Sequence, residues 1–328
     1  MKGKRISISI TDLMPLFVLL AVSLIFGVLT KGLVFSKGNM INIINQSVPY
    51  FIAALGMIFV TAMGGTDITC DSIIGFAGSL AAMAATEISV WLMFPCAIVV
   101  GGLVGLFSGT IVSKFKVPSF MVTLSLLLAL RAAVSWLLNA ENILVTREMM
   151  VFDRMWVKFP ILIGLLIVFT YIFHYTPFGS YLHAIGENEM AVGHTGVPVD
   201  KVKIAAFAIS GALAGVAGVF TVVRLGGASN TMGSSMEMKV MLCMFLASIP
   251  VEGGAGTKMH KMIIGVLTYF ILDNGLTLMG GASIINQMIR ARVLLAALTL
   301  TRVVGEQSER RNAQKRLQQV EQAALAQR

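Results

Sequence analysis

Residues 176–203 read Thr-Pro-Phe-Gly-Ser-Tyr-Leu-His-Ala-Ile-Gly-Glu-Asn-Glu-Met-Ala-Val-Gly-His-Thr-Gly-Val-Pro-Val-Asp-Lys-Val-Lys. They form a polar island in a chain that is otherwise mostly soluble in lipid. The apolar run before it, about Phe159 to Tyr175, approaches the roughly 20 residues that cross ~30 Å of hydrocarbon. The run after it, about Ile204 to Val223, reaches that length. The island therefore sits at a membrane surface, where water or a protein partner must meet it.

Composition supports the same class. Of the 328 residues, 56% are hydrophobic and 12% charged, and the mean hydropathy is +0.84. Ordinary soluble domains carry about 25% charge, so a soluble chain this poor in charge could not cover its own surface. The net charge of +9 comes from basic residues in short loops and the tail. That suits an anionic membrane face and points away from nucleic acid. Cys70, Cys96 and Cys243 have neither metal spacing nor an even count, and read as buried thiols. No cleavable signal peptide is evident; Lys2, Lys4 and Arg5 precede a first span.

Ten spans are expected: about Leu13–Leu33, Val48–Met63, Ile68–Ala85, Trp91–Val112, Phe120–Leu138, Phe159–Tyr175, Ile204–Val223, Met238–Ile249, Met262–Met279 and Ile284–Val304. Ser36 to Gln46 and Ala140 to Lys158 read as polar connectors. The fold class is all-α, a polytopic membrane protein with some broken or half helices and both termini cytoplasmic. Residues 1–304 form the membrane domain and 305–328 a polar helical tail. Lys114, Lys116, Lys201, Lys203, Lys258 and Lys261 then fall inside, as the positive-inside rule requires, and Trp91, Trp136 and Trp156 fall near the outer interface.

Several groups could carry function. Gly64-Gly65-Thr66-Asp67 breaks spans two and three apart, and Asp67 can either cap the next helix or line a pathway. Asp273 and Asn274 lie inside span nine, where an acid should face a cavity or a partner such as Arg290 or Arg292. Gly211, Gly215 and Gly218 share one helix face and predict close helix packing. No Gly-x-x-x-x-Gly-Lys-Ser/Thr phosphate loop, HExxH motif or nucleophile elbow occurs, so chemistry within this chain is not expected.

In order along the chain, several segments resemble the permease subunit of ribose-type ABC importers, a family that includes branched-chain amino-acid permeases. They are Gly64-Gly65-Thr66-Asp67-Ile68-Thr69, Val117-Pro118-Ser119-Phe120-Met121-Val122-Thr123-Leu124, Thr176-Pro177-Phe178-Gly179 through Gly186-Glu187-Asn188-Glu189 to Gly196, and Asp273-Asn274-Gly275-Leu276. Asp71 and Asp273 depart from the family pattern, which has a small residue and Asn there.

The resemblance implies a pore-forming half in a bacterial inner membrane, taking a monosaccharide or similar polyhydroxylated solute inward. Its implied partners are an ABC ATPase subunit, an extracytoplasmic substrate-binding protein and a second permease chain, identical or not. ATP would sit on the partner ATPase, and no cofactor is expected in this chain. Glu187, Asn188, Glu189, Ala191 and Gly196 would form the ATPase-coupling segment. Asp67, Thr123, Asp273, Asn274 and Arg290 are the candidates for the translocation path. The alternative is an ion-coupled secondary transporter using Asp67 or Asp273.

Overall fold

The computed structural model describes residues 10–139, 142–249, 253–254 and 256–280, with isolated positions 288, 289, 292 and 299. The basic N-terminal flank, most of the expected tenth span with Arg290, and the 305–328 tail lie outside the described residues.

The described chain is helical: α1 Ile10–Leu29, α2 Lys37–Ala62, α3 Cys70–Glu87, α4 Met93–Lys114, α5 Ser119–Leu138, α6 Met155–Tyr175, α7 Pro177–Gly193, α8 Val199–Leu225, α9 Met236–Leu246 and α10 Met259–Leu278. One short antiparallel pairing joins β1, Ile143–Leu144, to β2, Gly227–Ala228, with Ile143 opposite Ala228. Among the described residues, six stretches are long and apolar enough to cross a membrane: α2, α4 with the turn before it, α5, α6, α8 and α10.

α2 and α8 form the centre. Every residue from Val48 to Val60 and from Leu213 to Val223 is buried, as expected of helices that are apolar all round. Outside them, α4 exposes Ile98, Val99, Leu103 and Phe107, and α6 exposes Ile163, Ile167 and Val168. Faces of large apolar side chains like these suit lipid.

Small residues set how closely the centre packs. On α8, a Cβ on Gly211 would stand 2.2 Å from the Gly101 carbonyl oxygen, and one on Gly215 would stand 2.1 Å from that of Ala97. From α4, a Cβ on Gly105 would meet the Phe207 carbonyl at 2.2 Å. Gly218 meets α3, with Gly78 opposite. The expected small-residue face is therefore a two-sided seam, and Gly101, Gly105 and Gly109 of α4 supply the other side.

α2 stops at a second glycine junction. Gly64 has φ +77°, and the Gly254 N–H donates to the Ala62 carbonyl at 2.9 Å, capping the helix end. Cβ atoms on Gly253 and Gly186 would lie 2.4 Å from the Gly64 nitrogen and 2.2 Å from the Ala62 oxygen, respectively. Three backbone segments meet where side chains would not fit.

Four expectations about elements are corrected. Ser36 to Gln46 is largely helix, because its polar groups find tertiary partners: Lys158 Nζ donates to Asn45 Oδ1 at 2.6 Å and Arg224 to the Gln46 carbonyl at 3.1 Å. α6 starts before Phe159 and takes in Lys158, whose side chain is buried beside Asp153 at 2.5 Å. The stretch expected as the eighth span is α9, whose 11 residues reach only about 16 Å, so it is a half-helix. The first half of the 176–203 island packs into the bundle: Gly179, Leu182 and Ile185 are buried.

Candidate functional site

The island becomes a surface feature only at Asn188. Its φ of −160° and ψ of 95° interrupt α7, and its Oδ1 accepts from the Ala191 N–H at 2.9 Å. Asn188 thus caps a short second turn, satisfying an orphan donor at its start. Glu187, Asn188, Met190, Ala191 and the stretch from Gly193 to Gly196 are exposed. Gly196, with φ +84°, turns the chain back towards α8.

Glu189 points back into the protein. Lys203 Nζ lies 2.5 Å from its Oε2, and Lys116 Nζ lies 3.9 Å from its Oε1. Lys116 also bonds Asp200 at 2.9 Å, a hydrogen bond that raises the lysine above its ordinary value. Ser113 Oγ donates to the Asp200 carbonyl at 3.1 Å. These contacts tie the exposed turn to the ends of α4 and α8. The Lys116–Asp200 pair is largely exposed, so it contributes less than about 1 kcal/mol. Lys203 is more enclosed. Beside this ring opens a cleft of about 430 Å³, lined by residues including Gly64, Gly65, Val117, Pro118, Ser119 and Phe207.

Asp67 sits at the back of this region, buried, with both carboxylate oxygens engaged. Oδ1 accepts from the Thr69 N–H at 3.0 Å and from the Thr69 hydroxyl, and Oδ2 accepts from Ser210 Oγ at 2.7 Å. The carboxylate thereby joins the α2–α3 break to the central helix α8. Thr123 is also buried and donates to the Ser119 carbonyl at 2.8 Å, while Ser119 Oγ accepts from the Thr66 N–H at 3.0 Å. Both residues hold the break in place. Between the break and α9 lies a narrow cleft of about 20 Å³, lined by Met57, Thr66, Asp67, Met241, Met244 and Phe245 among others. That is room for about one water.

Asp273 and Asn274 are half-buried on α10. The Asn274 Oδ1 is shielded from solvent and accepts no hydrogen bond among the described residues. The structure does not bring these two residues together with Asp67 and Thr123 in one pocket: they lie near the far end of α10, where Gly275 packs on Phe26 of α1.

A cluster of which the sequence pointed only to Asp71 lies deeper in the bundle. Arg131 of α5 bonds Asp71 at 2.7 Å and donates to the Met232 carbonyl at 2.8 Å. Glu237, at the start of α9, is buried as well. A charge inside an apolar span is itself a signal. Arg131 in the fifth span carried it as plainly as Asp273 did in the ninth.

The fold and these sites define a class: a polytopic helical membrane protein whose interior holds a broken helix pair, a half-helix and buried charges. The chain belongs to the branched-chain amino acid transport system / permease component family, whose model matches residues 39–298. It is 32% identical to the ribose import permease protein of Haemophilus influenzae, over 83% of this chain and 87% of that protein. It is 30% identical to the ribose import permease protein of Escherichia coli K12, over 80% and 85%. Identity to the L-arabinose ABC transporter permease protein of Azospirillum brasilense is 28%, over 75% and 74%. No solved structure matches the chain.

Proposed function

We propose that this chain is the membrane-spanning permease subunit of an ATP-binding-cassette importer for a monosaccharide or similar polyhydroxylated solute. The observation that carries this reading is the similarity along most of the chain to permeases named for ribose and arabinose. The exposed turn from Glu187 to Gly196 suits an ATPase partner, since its solvent-exposed polar side chains stand out from a bundle end rich in lysine. Glu187, Asn188, Ala191 and Gly196 would meet that partner, and Glu189 would hold the turn to α8. A substrate-binding protein would deliver solute to the opposite end, where Trp91, Trp136 and Trp156 are exposed. On this reading both termini are cytoplasmic, a second permease chain completes the path, and the assembly lies in a bacterial inner membrane.

The test is uptake by the complete transporter in proteoliposomes, with a panel of monosaccharides, ATP on the ATPase side and binding protein opposite. Accumulation should require ATP and survive collapse of ion gradients. Uptake that continues without ATP and stops with the gradient would establish the ion-coupled alternative instead. Asp67 is poorly suited to that role, because hydrogen bonds already occupy both its oxygens.

A further inference from the structure

Between β2 and α9 the chain runs Ser229-Asn-Thr-Met-Gly-Ser-Ser235 in a series of turns. Met232 accepts from Arg131, and Gly233 stands so close to α3 that a Cβ there would be 2.7 Å from the Asp71 carbonyl oxygen. These contacts measure depth. Asp71 lies 16 residues from Glu87, the last residue of α3, roughly 24 Å along the axis. Arg131 lies seven residues from Leu138, the last residue of α5, roughly 10 Å along its axis. The segment therefore descends from the β1–β2 pairing well into the ~30 Å apolar layer before α9 begins.

One side of this re-entrant segment is buried: Met232, Gly233, Met236 and Glu237. The other side exposes Asn230, Thr231, Ser234 and Ser235, with Met238 below them on α9. Its backbone is held by turn bonds, Met232 N–H to the Ser229 carbonyl at 3.0 Å, Ser234 to Thr231 at 3.1 Å and Met236 to Gly233 at 2.8 Å. Irregular backbone carrying amide and hydroxyl side chains cannot face hydrocarbon at this depth. It is tolerated only where it lines water or is covered by protein.

We propose that Asn230, Thr231, Ser234 and Ser235 line the translocation path and hydrogen-bond the hydroxyl groups of the passing solute. The proposal rests on the importer reading above. Neutral amide and hydroxyl groups exchange donors and acceptors freely with a polyol and repel neither it nor water. Arg131 is the positioning residue. Anchored by Asp71, it holds the Met232 carbonyl and thereby the whole exposed edge. Below the segment, Met238, Met241 and Phe245 continue along α9 to the narrow cleft beside Asp67. The polar edge thus stands above an apolar constriction, as expected of a solute station over a closed passage.

The test uses the complete transporter in proteoliposomes, carrying single Thr231→Cys or Ser234→Cys substitutions. Every variant also carries Cys96→Ser, because Cys96 is only half-buried, while Cys70 and Cys243 stay because they are buried. A membrane-impermeant, positively charged methanethiosulfonate reagent should modify both positions at least about tenfold faster than Leu103→Cys or Ile167→Cys on the lipid-facing helices. A transported monosaccharide should slow the reaction. Ser234→Ala and Thr231→Val should raise KM for uptake by about two- to tenfold, the worth of one neutral hydrogen bond. Reaction at the lipid-facing rate would overturn the path assignment, and fast reaction without solute protection or a KM change would overturn the solute contact. If the wild-type transporter moves no monosaccharide, the importer reading fails, while the labelling rates still decide whether the segment lines water.

Discussion

Replacing Gly211 with alanine tests whether backbone contact between α4 and α8 sets the geometry of the bundle. The added Cβ would sit 2.2 Å from the Gly101 carbonyl oxygen and 2.9 Å from the Gly105 Cα. Ordinary contact begins near 3.4 Å, so the first distance is short by about 1.2 Å. Both obstacles are backbone, and no rotamer change relieves them. Alanine gains about 1 kcal/mol of helix propensity over glycine, against overpacking that costs about 1–3 kcal/mol. Rigid obstacles place the penalty at the upper end, for a net loss of about 1–2 kcal/mol. Gly164→Ala on α6 is the control, because no atom lies within 4 Å of its added Cβ; there only the propensity gain applies. Heating purified protein in detergent and following the monodisperse fraction should show Gly211→Ala melting below wild type and Gly164→Ala at or above it. Equal shifts in the same direction would refute the claim that this seam is closed by backbone contact.

Three further outcomes follow from the buried polar groups and the surface turn. Arg131→Met should cost about 3–5 kcal/mol, since it leaves the buried Asp71 carboxylate without its cation, and the same melting assay reads it. Asp67→Ala should lose about 1–3 kcal/mol by stranding the Thr69 N–H and the Ser210 hydroxyl; Asp67→Asn keeps an acceptor and should lose less. Asn188→Ala removes the cap on the exposed turn, worth about 1 kcal/mol locally. It should leave the bundle's melting unchanged while weakening ATPase co-purification, and undiminished co-purification would move the docking surface elsewhere.

What the sequence made legible was what depends on local pattern. Apolar runs located most helices, glycine spacing marked the packing face of α8, and Gly64-Gly65 marked the break after α2. Matters settled by tertiary partners were hidden. Ser36 to Gln46 looked like a connector because Lys158 and Arg224, more than a hundred residues away, satisfy its polar groups. The span expected at Met238 to Ile249 had the right composition, but hydropathy does not show that the polar segment before it enters the bundle. Glu189 looked like a docking carboxylate, and only the folded chain brings Lys203 and Lys116 to it. Lys116 is 73 residues earlier in sequence, and nothing near Glu189 announces it.

The placement of Glu189 bears on how force would travel if a motor docks at the turn. A turn tied only through its own chain would transmit a push to α8 alone. Here Glu189 joins it to Lys203 on α8 and lies near Lys116 at the α4–α5 corner, which in turn bonds Asp200. α4 and α8 are already locked by their glycine seam, so the turn, α4 and α8 should move as one body. The part that would have to shift against them is the α2–α3 break, which borders the same cleft of about 430 Å³ and also touches Gly186 of α7 through Ala62. Asp67 and Ser210 form the bond that would resist this motion, joining that break to α8. A carboxylate with its hydrogen bonds made inside the bundle is therefore better placed as a latch between the two bodies than as a contact for solute. Ser210→Ala should discriminate between these roles. As a latch, its loss should raise ATPase activity uncoupled from uptake and leave KM for solute unchanged. A rise in KM without uncoupling would return Asp67 to the path.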